Sequence, residues 1–115
     1  MTFQESIQTC FKKYADFNGR ASRAEYWWFA LFIFLVSVVL GIAGAGLVSG
    51  LFSLATLVPS LAAGVRRLHD LGKSGWFLLL SLIPVIGALV LLYWFIQPSS
   101  DSNQYGEPAE GIAQA

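Results

Sequence analysis

YWWFALFIFLVSVVLGIAGAGLVSGLFSLATLVPSLAAGV, residues 26–65, runs forty positions without a charged side chain and then breaks into Arg66-Arg67-Leu68-His69-Asp70. At about 1.5 Å per helical residue such a run spans roughly 60 Å, about two crossings of a hydrocarbon core ~30 Å thick. Gly41, Gly44, Gly46 and Gly50 fall near its middle with no polar loop between them. The reading is a helical hairpin with a very short outer turn, its helices over about 23–45 and 48–70. Ser22-Arg23-Ala24-Glu25 has the spacing of a capping box, with Ser22 accepting from the Glu25 amide and Glu25 reaching back. Tyr26, Trp27 and Trp28 then form an interfacial aromatic cluster. Pro59 lies inside the second helix, where neighbouring helices or hydroxyls can satisfy the carbonyl it frees.

Outward from the hairpin, Gly72-Lys73-Ser74-Gly75 marks a turn, and Trp76 opens a third apolar run ending near Ile96. Its length predicts a third crossing over about 75–97, kinked near Pro84 and Gly87, with Tyr93 and Trp94 as the opposite aromatic belt. Toward the N-terminus, Phe3, Ile7, Cys10, Phe11 and Tyr14 recur at helical spacing, while Glu5, Lys12 and Lys13 turn away from that stripe. Residues 1–17 therefore read as a short amphipathic helix at the membrane interface, and Asn18-Gly19 ends it. Residues 98–115 are polar and are expected to be disordered. The fold class is all-α: an integral membrane protein with three transmembrane helices, a hairpin plus one, spanning 18–97.

Charge is scarce and segregated. Charged residues make up 12% of the chain, against about 25% in soluble domains. All seven Lys and Arg lie at Lys12, Lys13, Arg20 and Arg23, or at Arg66, Arg67 and Lys73. With three crossings these two groups share one side, and the positive-inside rule puts the N-terminus in the cytoplasm and the tail outside. The location implied is a bacterial inner membrane, multi-pass. No excess basic face points to nucleic acid, and the N-terminal residues lack the apolar core of a cleavable signal peptide. Cys10 stands alone and cannot form an internal disulfide.

The hairpin folds the two ends of the apolar run back to one level. Arg20, Arg23 and Glu25 stand at one end, and Arg66, Arg67, His69 and Asp70 at the other. Within a continuing helix Asp70 can pair with Arg66 at four residues or Arg67 at three. Planar arginine forks at this depth suit anionic headgroups; the competing reading is a structural salt-bridge layer fixing the helix ends. One histidine beside one carboxylate is a poor metal set, so no metal or cofactor is expected. No nucleophile elbow, phosphate loop or pair of intramembrane carboxylates is present, so no enzyme is expected. The expected function is a membrane-embedded interaction or structural module, its charged layer binding anionic headgroups or a protein partner. A small transporter or channel built as a homo-oligomer is the alternative.

Four segments carry a family resemblance. They are residues 17–27 (FNGRASRAEYW), residues 66–76 (RRLHDLGKSGW), Ile83-Pro84-Val85-Ile86-Gly87 and Asn103-Gln104-Tyr105-Gly106. Together, in this order, they closely resemble the domain-of-unknown-function 805 family of small bacterial inner-membrane proteins, over residues 17–108. The resemblance implies that Arg20, Arg23, Glu25, Arg66, Arg67, His69, Asp70 and Trp76 are the family's signature positions. It implies the membrane topology and a shared role for the charged layer, and supplies no function.

Overall fold

Thr2 opens the first helix with a complete capping box. Its hydroxyl accepts from the Glu5 N–H at 3.1 Å and the Glu5 carboxylate accepts from the Thr2 N–H at 2.9 Å. The computed structural model describes residues 2–101 and 103–106. It contains α1 (Phe3–Lys12), α2 (Arg23–Ile42), α3 (Gly46–Asp70), a 3-10 segment (Gly75–Leu82) and α4 (Ile86–Phe95). Among the described residues all regular structure is helical, apart from one isolated bridge between Asn103 and Gly106.

At about 1.5 Å per residue, the 20 residues of α2 and 25 of α3 rise about 30 and 37 Å. Both are long and apolar enough to cross a membrane. Gly44, at φ +70°, makes the tight connection between them. The outward faces are apolar: Ile42 is 83% exposed and Leu47 80%. Bare apolar surface of this extent fits a helix pair solvated by lipid.

α1 lies across this pair. Phe11 meets Phe29 edge-on at 5.5 Å between ring centroids, Phe3 meets Trp28 at 5.7 Å, and Ser6 and Cys10 are fully buried beneath. The Tyr14 hydroxyl donates to the Ala55 carbonyl on α3. That carbonyl lies four residues before Pro59, so it is the acceptor that proline leaves without its helical N–H. The turn after α1 thus repairs the break in the α3 ladder.

The third apolar run departs from the sequence expectation. In place of one helix over 75–97, the chain enters as the 3-10 segment, reverses at residues 83–85 with Val85 at φ +64°, and returns as α4. The 8 residues going in rise about 16 Å and the 10 returning about 15 Å. Each limb is therefore about half as long as a ~30 Å hydrocarbon core is thick. A Cβ on Gly87 would stand 1.6 Å from the Leu80 carbonyl oxygen, which measures how closely the two limbs approach. Pro84 and Gly87, read as a kink, are part of a hairpin turn.

The tail also departs from expectation. Residues 98–101 and 103–106 pack at the end of the molecule that bears the arginines, opposite the α2–α3 turn. Ser100 N–H donates to the Asp70 carbonyl at 3.0 Å, and Asn103 and Gly106 exchange backbone hydrogen bonds around a tight turn. The expected disorder of 107–115 falls outside the described residues.

Candidate functional site

Three helix ends converge where the charged residues gather: the start of α2 and the ends of α3 and α4. Helix C-termini expose unpaired carbonyls and carry partial negative charge, so cations are favoured there. At the end of α4, Phe95 O accepts from Arg67 Nε at 3.1 Å and from Trp27 Nε1 at 2.9 Å. Ile96 O accepts from Arg23 Nη1 at 3.1 Å, and Gln97 O from Arg67 Nη2. At the end of α3, Asp70 O accepts from Arg20 Nη2 at 2.8 Å.

Asp70 is the centre of the layer. Its Oδ1 accepts from Arg20 Nε at 2.8 Å, and its Oδ2 from Arg67 Nη1 at 2.9 Å and from Ser99 Oγ. Arg67 and Asp70 are wholly buried and Arg20 nearly so. Of the two spacings open to Asp70, the structure uses the three-residue pair with Arg67. Arg66 turns to α2 instead: its Nη1 is paired with Glu25 Oε2, and its Nε donates to Asp16 O at 3.2 Å. This explains why the capping box at Ser22 is only half formed. Ser22 accepts from the Glu25 N–H at 3.0 Å, but the Glu25 carboxylate is spent on Arg66.

The tail completes the layer. Arg20 Nη1 donates to Gly106 O at 2.8 Å and Asp101 O at 3.2 Å, and Nη2 to Ser100 O at 2.7 Å. Asn103 Oδ1 accepts from the Tyr105 N–H at 2.8 Å, a turn that sets the Tyr105 ring flat on His69, 3.8 Å between centroids and 5° apart. His69 Nδ1 donates to Gly19 O at 2.9 Å.

The structure therefore brings together Arg20, Arg67 and Asp70 in one network and Glu25 and Arg66 in an adjoining one, with His69 held at the edge. Arg23 reaches the α4 terminus, and Trp76 is 79% exposed. Ser99, Ser100, Asn103 and Tyr105 belong to the site and were missed by residue-level reading. The signal for them was stoichiometric: four arginines face two carboxylates, so the surplus N–H groups require carbonyls from another segment.

Cys10 sits against the second network, its Sγ 3.9 Å from Glu25 Oε2. Burial, then the Glu25 charge, pushes its thiol up to about 11, with Arg66 opposing. That is the environment of an inert thiol. Among the described residues no group of three or more His, Cys, Asp or Glu side chains could hold a metal ion.

The family model described as "Protein of unknown function (DUF805)" matches residues 14–107. The chain is 45% identical to inner membrane protein YhaI of Escherichia coli K12 over 102 residues, covering 83% of this chain and 86% of that protein. It is 35% identical to inner membrane protein YhaH of the same organism over 106 residues, covering 83% and 88%. No solved structure gives a significant match. The chain belongs to the DUF805 family.

Proposed function

We propose that this DUF805 protein is a non-enzymatic, multi-pass inner-membrane module in which the arginine–aspartate layer is an internal clamp. In this reading α2 and α3 cross the bilayer, while residues 75–95 enter and leave from one face. The clamp lies at the cytoplasmic boundary, where all seven Lys and Arg gather. The N-terminus and residues 98–106 are then both cytoplasmic. The molecule offers the bilayer, a membrane-protein partner or a second copy a surface whose shape the clamp holds fixed.

One observation carries this reading. Asp70, with no exposed surface, takes Arg20 and Arg67 together, and their remaining N–H groups go to carbonyls of residues 70 and 95–106. A headgroup receptor would keep guanidinium edges open to the lipid; here those edges are turned inward. A transporter gains no support from the open groove between α2 and α3, lined by Tyr26, Ile33, Ser37 and Ser60 among others, since none of its lining residues is charged.

The experiment compares Arg67→Ala with Lys12→Ala/Lys13→Ala. The clamp reading expects Arg67→Ala to lower folding stability while the preference for phosphatidylglycerol vesicles is unchanged, and the lysine pair to do the reverse. Lost vesicle binding in a stably folded Arg67→Ala would favour the headgroup receptor.

A further inference from the structure

Beside the clamp, and resting on the membrane placement proposed above, α3 carries a second feature. We propose that a groove along this helix binds one bilayer phospholipid, with an acyl chain on Leu61 and Val65 and a donor-bearing headgroup at His69. These three residues are spaced by four on α3 and so form a single stripe. The groove over them holds about 440 Å³, walled by Phe17 from the loop before α2 and by Trp76 and Leu79 from the 3-10 segment. From Leu61 to His69 the stripe runs eight residues, about 12 Å, toward the arginine layer. It passes from purely apolar to polar in the direction the bilayer does.

The polar end is built. His69 is 9% exposed, gripped by the Tyr105 ring on its face and by Gly19 O at Nδ1. A carbonyl only accepts, so Nδ1 carries the proton of that bond and Nε2 is the ring's remaining polar atom. Nε2 has no partner among the described residues. It is not enclosed either, since the one enclosed side-chain nitrogen or oxygen without a partner there is Arg66 Nη2. That leaves an accepting atom open at the mouth of an apolar groove. A headgroup N–H satisfies it: the ammonium of phosphatidylethanolamine donates to Nε2, whereas the quaternary head of phosphatidylcholine cannot.

The test reconstitutes the full chain with phosphatidylethanolamine carrying a photoactivatable acyl chain and maps the crosslinks by mass spectrometry. Leu54 is 68% exposed against 41% for Leu61, so random annular lipid labels Leu54 more. A bound lipid reverses that order. Exchanging the probe for phosphatidylcholine with the same chain lowers labelling at Leu61 about fivefold, the worth of one hydrogen bond, and leaves Leu54 unchanged. His69→Asn, which keeps a donor near the position of Nδ1 and removes Nε2, has the same effect. Labelling that follows exposure, or equal labelling by the two lipids, overturns the proposal. If His69→Asn fails to insert, the comparison of the two lipids on the unaltered protein still decides.

Discussion

Replacing Asp70 by asparagine keeps the volume of the clamp and removes its charge. Oδ1 serves Arg20, while Oδ2 serves Arg67 and Ser99. Whichever way the new amide is turned, its NH2 group faces a guanidinium N–H, donor against donor. Both arginines are buried, Arg67 wholly and Arg20 to all but 7%. Removing one partner of a buried ion pair costs about 3–5 kcal/mol, whereas an exposed pair is worth about 0–1 kcal/mol. The two cases are separable by equilibrium unfolding in detergent, with SDS as denaturant and tryptophan fluorescence as the signal. Asp101→Asn, at an exposed carboxylate, serves as the control and should change stability by no more than about 0.5 kcal/mol. A double-mutant cycle with Arg20→Gln should return a coupling of at least ~1 kcal/mol, because the two side chains touch. An Asp70→Asn cost below about 1 kcal/mol would refute the clamp, since only a solvated pair loses so little.

Three further outcomes follow from the packing. Tyr14→Phe should cost about 1 kcal/mol in the same unfolding assay, and much less in a Pro59→Ala background, where the restored N–H satisfies Ala55 O. Gly87→Ala should disrupt the turn between the 3-10 segment and α4, because its Cβ would overlap the Leu80 carbonyl; Gly41→Ala, with nothing near its Cβ, should leave the fold intact by thermal denaturation. Cys10, raised from 9.0 to about 11, should react with maleimide at pH 8 about a hundredfold more slowly in the folded protein than after SDS unfolding. The same shift fixes a sign. Between about pH 9 and 11 the unfolded thiol is ionised and the folded one is not, so stability contributed by Cys10 falls as pH rises through that window.

Local signals in the sequence were reliable where one segment decided its own structure. Ser22 marks the start of α2 and the glycines near residue 44 the turn; of the stripe Phe3, Ile7, Cys10, Phe11 and Tyr14, the first four lie on α1, which stops at Lys12, short of Tyr14. Thr2 and Glu5, a stronger capping box than the one at Ser22, passed unread. The third apolar run reads as one helix because its hydropathy and length are the same for a single helix and for two short limbs folded back on each other. What separates them is where the last carbonyls go, and those of Phe95, Ile96 and Gln97 go to Arg67, Arg23 and Trp27, far away in sequence. The same is true of the site. The charged layer and its members were legible, but the partner of each arginine was not, because Glu25 had two plausible uses and the tail's carbonyls carry no side-chain signature. Asn103-Gln104-Tyr105-Gly106 drew notice only through the family resemblance, although its turn delivers both Tyr105 and a carbonyl to the layer.

The side of the membrane on which residue 104 lies tests the account most directly. Gln104→Cys in a Cys10→Ser background is treated with a membrane-impermeant maleimide, once in intact spheroplasts and once in inside-out vesicles, beside Lys73→Cys as the cytoplasmic reference. The account predicts that both cysteines are protected in spheroplasts and labelled in inside-out vesicles. Labelling of residue 104 from outside intact cells, with residue 73 protected, would mean that residues 75–97 cross the bilayer, and would contradict the re-entrant hairpin and the clamp that holds it.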